Sequence, residues 1–93
     1  IAIDYDDTFT ADPVLWSGFI NAAKGMGHKV VMITARRETE ENTDLINADL
    51  DAWQCQIPVL FSSLGSKIEL AKKRGLSVDI WIDDNPQALV NGH

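Results

Sequence analysis

Three carboxylates and a hydroxyl fall within five residues, Asp4-Tyr5-Asp6-Asp7-Thr8, directly after the apolar run Ile1-Ala2-Ile3. Like charges about 4 Å apart repel by about 4 kcal/mol at an effective dielectric near 20. A fold that keeps such a cluster must bring a cation to it or let it take up a proton. The donors are all oxygen, which suits a hard divalent cation such as Mg²⁺. A second acidic pair, Asp83-Asp84, follows the apolar run Ile80-Trp81-Ile82. Between the two acidic clusters lie Thr34, which ends the run Val30 to Ile33, and Arg36 just after it. Further on, Ser66-Lys67-Ile68-Glu69 is a capping-box pattern that opens a helix. It puts Lys67 in the first helical turn, where the macrodipole disfavours a cation by under about 1 kcal/mol. That placement marks Lys67 as serving a different end. It can be the counter-charge to the acids and, with Thr34, a donor to the anionic oxygens of a phosphoryl group.

These residues need a frame that brings them together. Ile1 to Ile3, Val30 to Ile33, Ile57 to Phe61 and Val78 to Ile82 read as four buried strands, because parallel strands covered on both faces are continuously apolar. Pro58 predicts an edge position for the third, since proline cannot donate to a ladder. Asp12-Pro13 is an N-cap followed by proline at the first helical position. The helix it opens carries Val14, Leu15, Trp16, Phe19, Ile20, Ala22 and Ala23 and stops at Gly25 and Gly27. Trp16 and Phe19 read as core. A second helix runs over about Glu38 to Gln54, with acids in its first turn to suit the helix dipole. A third runs from Ser66 to Gly75, and a short last one opens at Pro86. Strands and helices alternate, which predicts an α/β, three-layer, Rossmann-like fold: a parallel sheet of about four strands in the order 4-1-2-3, with helices on both faces. All four polar strand ends then share one sheet edge, where ligands bind in such sheets. With strands one and four as neighbours, Asp4 and Asp83 converge.

The 93 residues make one domain. The net charge of -6 argues against a broad surface that tracks nucleic-acid phosphates. A single cysteine, Cys55, excludes an internal disulfide and fits a reducing compartment. Without a long apolar run or a signal peptide, the chain reads as cytoplasmic, with no membrane partner. The abrupt ends at Ile1 and at Asn91-Gly92-His93 read as places where a longer chain has been cut. Tyr5 and Trp81 read as packing residues, His28 as a surface residue, and Cys55 as a small half-buried one without a histidine partner.

In their order and spacing, Asp4-Tyr5-Asp6-Asp7-Thr8, Val30 to Thr34, Lys67, and Ile80 to Asp84 resemble the four motifs of the haloacid dehalogenase superfamily of aspartate-nucleophile phosphatases. Lys72 and Lys73 are rivals to Lys67 but lie deeper in their helix. The resemblance covers residues 1 to about 90. It implies a Mg²⁺-dependent phosphomonoester hydrolase in which Asp4 is the nucleophile, forming an aspartyl-phosphate, and Asp6 the general acid and base. It further implies that Thr34 and Lys67 hold the phosphoryl group and that Asp7, Thr8 and Arg36 face the substrate. The metal would be held by Asp4, Asp6 through its backbone carbonyl, Asp83 and Asp84, which of the last two binds directly being open.

Members of that superfamily often carry a cap domain, for which this chain has no room. Capless relatives act on macromolecular phosphates or borrow a neighbouring subunit as a lid, so a homo-oligomer covering the open site is an expectation. Thr34-Ala35-Arg36 is similar to the Thr-Gly-Arg of capless relatives that dephosphorylate nucleotides or polynucleotide ends. The expected partner is therefore a phosphorylated small molecule, a nucleotide or a polynucleotide end. Two other readings compete. One is a non-catalytic phosphate- or Mg²⁺-binding module that keeps the fold. The other is a receiver-type phosphoacceptor domain, which would need an Asp at a middle strand end where this chain has Thr34 or Ser62-Ser63.

Overall fold

The structure, a computed structural model, describes residues 1–91; Gly92 and His93, part of the terminus read above as a cut end, lie outside the described residues. Four parallel strands, β1 (Ala2–Ile3), β2 (Val31–Thr34), β3 (Val59–Phe61) and β4 (Trp81–Ile82), form one sheet in the order β3-β2-β1-β4. Read from the other edge this is the expected order 4-1-2-3. The strands are shorter than their apolar runs, but backbone bonds extend the pairing beyond them, Asp4 N to Ile82 O at 2.9 Å and Ser62 N to Thr34 O at 2.8 Å. The strand after Pro58 lies at an edge, where the missing N–H has no ladder to break.

Side-chain alternation along the strands builds a core on each face. Ile3, Met32, Val59, Phe61 and Ile82 point to one face, where α1 (Pro13–Gly25) and α2 (Glu40–Ala52) cover them with Ile20, Ala23, Ile46 and Leu50. Ala2, Val31, Ile33, Leu60 and Trp81 point to the other, covered by α3 (Lys67–Lys73) through Leu70 and Ala71. The short α4 (Pro86–Val90) lies against α3, tied by the Ser66 hydroxyl donating to Leu89 O at 2.8 Å. Among the described residues no helix is long and apolar enough to cross a membrane.

Local chemistry sets the helix starts. Asp12 Oδ1 accepts from Leu15 N at 3.1 Å, and the Ser66 hydroxyl accepts from Glu69 N at 3.2 Å. The second helix starts later than Glu38, because the Thr39 hydroxyl is the cap, accepting from Asn42 N at 3.0 Å. Cys55 is fully buried rather than half-buried, closing the core where α2 ends.

The acid-bearing segment after β1 is a wide turn. Phe9 N and Thr10 N donate five residues back, to Asp4 O at 3.3 Å and Tyr5 O at 3.1 Å. Asp7 sits at its tip with φ +60°, a conformation Asp tolerates better than most side chains. The turn is anchored from below by Phe9, which is fully buried and stacks on Tyr5 at 6.2 Å between ring centroids. Phe9→Ala is expected to cost about 3–5 kcal/mol in chemical denaturation; a loss under about 1 kcal/mol would show that the turn is held by something else.

Candidate functional site

At the carboxyl edge of the sheet, oxygens of Asp4, Asp83 and Asp84 lie within 4.8 Å of one another. Pairing of β1 with β4 brings them there, because Ile3 and Ile82 are in register and the acids are the next residues of each strand. The ammonium of Lys67 sits between two of them, 2.7 Å from Asp4 Oδ1 and 2.6 Å from Asp83 Oδ2. Its helix start, capped by Ser66, directs the side chain under the acids, where it is 1 % exposed. An unpaired ammonium at that depth would cost several kcal/mol, so the pairing and the burial require each other.

The remaining oxygens are held as well. The Thr8 hydroxyl accepts from Asp84 N at 3.2 Å and lies 3.2 Å from Asp84 Oδ1 and 3.4 Å from Asp4 Oδ2, so its one proton is shared between the two carboxylates. Asp83 Oδ1 accepts from Asn85 N at 2.9 Å. Thr8 is thus a strut between the turn after β1 and the end of β4. Three carboxylates against one ammonium leave negative charge in excess, and the pKa of Asp4 is pushed up to about 6. Burial is the main cause; Lys67 pulls the other way, and Asp83 and Asp84 add to the rise.

This donor set fits a divalent oxygen-preferring cation. The ligands are hard oxygens gathered within 4.8 Å of one another, and their negative charge exceeds what Lys67 supplies. Asp4, Asp83 and Asp84 are the side chains that would hold it.

Asp6 stands apart from that group. Its two carboxylate oxygens accept from Arg36 Nε and Nη2, each at 2.9 Å. Arg36 in turn donates from Nη1 to Asn42 Oδ1 of α2 at 2.9 Å and lies over the Tyr5 ring at 5.5 Å. Tyr5 donates its hydroxyl to Asp49 Oδ2 at 2.8 Å, which accounts for the tyrosine as a packing residue. Thr34 is fully buried at the end of β2, its hydroxyl accepting from Arg36 N at 3.2 Å. Asp7 is exposed. The residues singled out by type and spacing thus lie along one edge, but in two neighbouring groups, Asp4, Thr8, Lys67, Asp83 and Asp84 in one and Asp6, Thr34 and Arg36 in the other, with Asp7 exposed at the tip of the turn.

No family model, curated protein or solved structure matches this chain. What the site can do therefore rests on its own chemistry.

A small cavity of about 260 Å³ opens beside the first group, between the turn, the start of α1 and the end of β4. Asp83, Asp84, Trp16 and Ala11 are among the residues that line it. Trp16 packs against the core, as its apolar stripe predicts, and also lines this cavity. Its place in the first turn of the helix that follows the acid turn is the one signal in the sequence that it could do so. A larger cavity, about 760 Å³, lies at the opposite edge of the sheet among Lys24, His28, Lys29 and Leu76, away from the acids.

The raised pKa of Asp4 has a definite sign for stability. The folded group holds its proton up to about 6, the unfolded one only to the ordinary 3.8. Its contribution is therefore most favourable at low pH and is lost as pH rises from about 4 to about 6. In metal-free protein, the stability of Asp4→Asn relative to wild type should therefore shift in the variant's favour between pH 4 and pH 7, by on the order of 3 kcal/mol. Denaturation at pH 4 and pH 7 measures this, and a difference independent of pH would contradict the assignment.

Proposed function

We propose that the chain is a Mg²⁺-dependent phosphomonoester hydrolase of the haloacid dehalogenase type, acting through an aspartyl-phosphate. The observation that carries the reading is the convergence of Asp4, Asp83 and Asp84 around the buried ammonium of Lys67 at the carboxyl edge of a parallel sheet. The likeness of its four motifs to that superfamily supports it.

In this reading the Asp4 carboxylate attacks phosphorus, the bond to the leaving oxygen breaks, and Asp6 donates the proton that the leaving alkoxide takes up. Asp6 then takes a proton from the water that cleaves the aspartyl-phosphate, returning Asp4 and releasing phosphate. For Asp6 to serve, its pair with Arg36 has to open, which frees the guanidinium for the phosphoryl oxygens. Lys67 and the Thr34 hydroxyl are the further donors. A bound Mg²⁺ supplies positive charge where the transferring group spreads its negative charge. Thr8 keeps the Asp4 and Asp84 carboxylates in place. Substrates would be phosphorylated small molecules, nucleotides or polynucleotide ends.

One observation favours a second reading, a phosphate- or Mg²⁺-binding module without turnover: the carboxylate of Asp6 is already engaged at both oxygens by Arg36.

Phosphate release from p-nitrophenyl phosphate, nucleotides and phosphorylated oligonucleotides, with Mg²⁺ and with EDTA, separates the two. Metal-dependent turnover is expected, and Asp4→Asn should abolish it in a folded protein. Retained turnover in that variant would refute the nucleophile, and no turnover on any substrate would leave the binding module. Lys67→Ala should lower the rate far more than Lys72→Ala, since Lys72 is exposed and only reaches Glu69 at 3.9 Å. Equal small effects would exclude Lys67 from the site.

A further inference from the structure

The cavity beside Asp83 and Asp84 is mixed in character. Asp7, Asp83 and Asp84 line it together with the apolar Trp16, Ala11 and Ile82. Trp16 is half-buried, and Phe19 meets it edge to face at 5.7 Å between centroids and 84° between planes. At about 260 Å³ the space lies just below the range of ordinary small-molecule pockets and suits one ring system rather than a chain.

The charges around it are lopsided. The chain has eight lysines and arginines. Lys24 and Lys29 line the cavity at the far edge of the sheet. Lys72, Lys73 and Arg74 close α3, which starts at the acids and runs back toward that same edge, where Gly75 and Leu76 line the same cavity. Only Arg36, Arg37 and Lys67 remain at the acid edge, and two of these are committed, Arg36 to Asp6 and Lys67 to Asp4 and Asp83. The same edge carries Asp7, Asp12, Glu38, Glu40 and Glu41 in addition to the site acids. A substrate with several phosphates would meet a field of its own sign with no row of cations to receive it.

We infer that the cavity takes the flat, uncharged aromatic part of a leaving group, such as the base of a single nucleoside, stacked on Trp16, and that the acidic residues around it, Asp7 foremost, select against substrates carrying further phosphates, polynucleotide ends included. The inference rests on the phosphatase reading for the reaction, but the stacking itself needs neither metal nor phosphate. The Asp7 carboxylate also suits the amino groups of a base, as an acceptor. Trp16 acts here as a specificity residue: it touches the leaving group and none of the reacting atoms.

The test compares adenosine 5′-monophosphate, glycerol 3-phosphate, adenosine 5′-triphosphate and a 5′-phosphorylated oligonucleotide as substrates of wild type and variants. Wild type should prefer the monophosphate to all three others. Trp16→Leu, which keeps apolar volume without a π-face, should raise KM for the monophosphate about 5- to 150-fold, the range of base–aromatic stacking, with kcat little changed. It should leave glycerol 3-phosphate unaffected, and Trp16→Phe should restore most of the loss. Asp7→Asn, which tolerates the same left-handed backbone, should narrow the preference for one phosphate over three. Equal efficiency with adenosine and glycerol phosphates, or a Trp16→Leu effect that is the same for both, overturns the inference while the phosphatase reading stands. Tryptophan fluorescence titrated with adenosine in EDTA gives the second arm. Quenching that saturates in wild type and disappears in Trp16→Leu supports the stacking site even if no substrate turns over; no Trp16-dependent quenching overturns it.

Discussion

The ammonium of Lys67, buried between Asp4 and Asp83, is the interaction on which the rest of this structure turns. A buried charge is tolerated only when its partners are fixed, and these partners come from opposite ends of the chain. Asp4 follows the first strand and Asp83 the last, so the ion pairs form only when β1 and β4 lie side by side. Ser66 caps the helix that aims Lys67, and its hydroxyl also holds α4 through Leu89 O. Thr8 joins the same two strand ends from above. The central sheet and the acid cluster are therefore one cooperative unit rather than a scaffold with a site placed on it.

Much of that unit was legible in the residue order. The four apolar runs, the Asp12-Pro13 and Ser66-to-Glu69 helix starts, and the polar residue at each strand end have local causes: burial on two faces, capping, and the turn preferences of Asp. The parallel sheet and its order follow from alternation and from the need to bring the two acidic clusters together. Lys67 stood out because it contradicts the helix dipole. What could not be read were contacts decided by side-chain direction across the fold. Asp6 is two residues from Asp4, but the chain leaves the extended strand at Tyr5, so its carboxylate turns to Arg36, which α2 holds through Asn42. Trp16 belongs to an apolar helical stripe, and only its place in the first turn of the helix sets it beside the acid turn. Tyr5 and Asp49 are likewise joined only by the docking of α2.

The two groups at the sheet edge differ in what they ask of the protein. Asp4, Asp83 and Lys67 are buried and carry excess negative charge, a state that a cation relieves. Asp6 and Arg36 are partly open to solvent and already neutralise each other. The first group resists rearrangement and the second permits it. This is the division of labour that charge transfer at a fixed centre with a moving proton donor would require.

The pairing of the first strand with the last also bears on how the chain comes to be folded. The segment from Ile1 to Phe61 can bring three strands and two helices together with connections of ordinary length. The final strand then has to find the open flank of β1, and Thr8 meets Asp84 across 76 residues. Contacts so distant in sequence form late, because the loop entropy must be met before they contribute anything. Until they do, Asp4 has neither Lys67 nor Asp83 beside it, and the β1 edge is unpaired and open to the wrong strand.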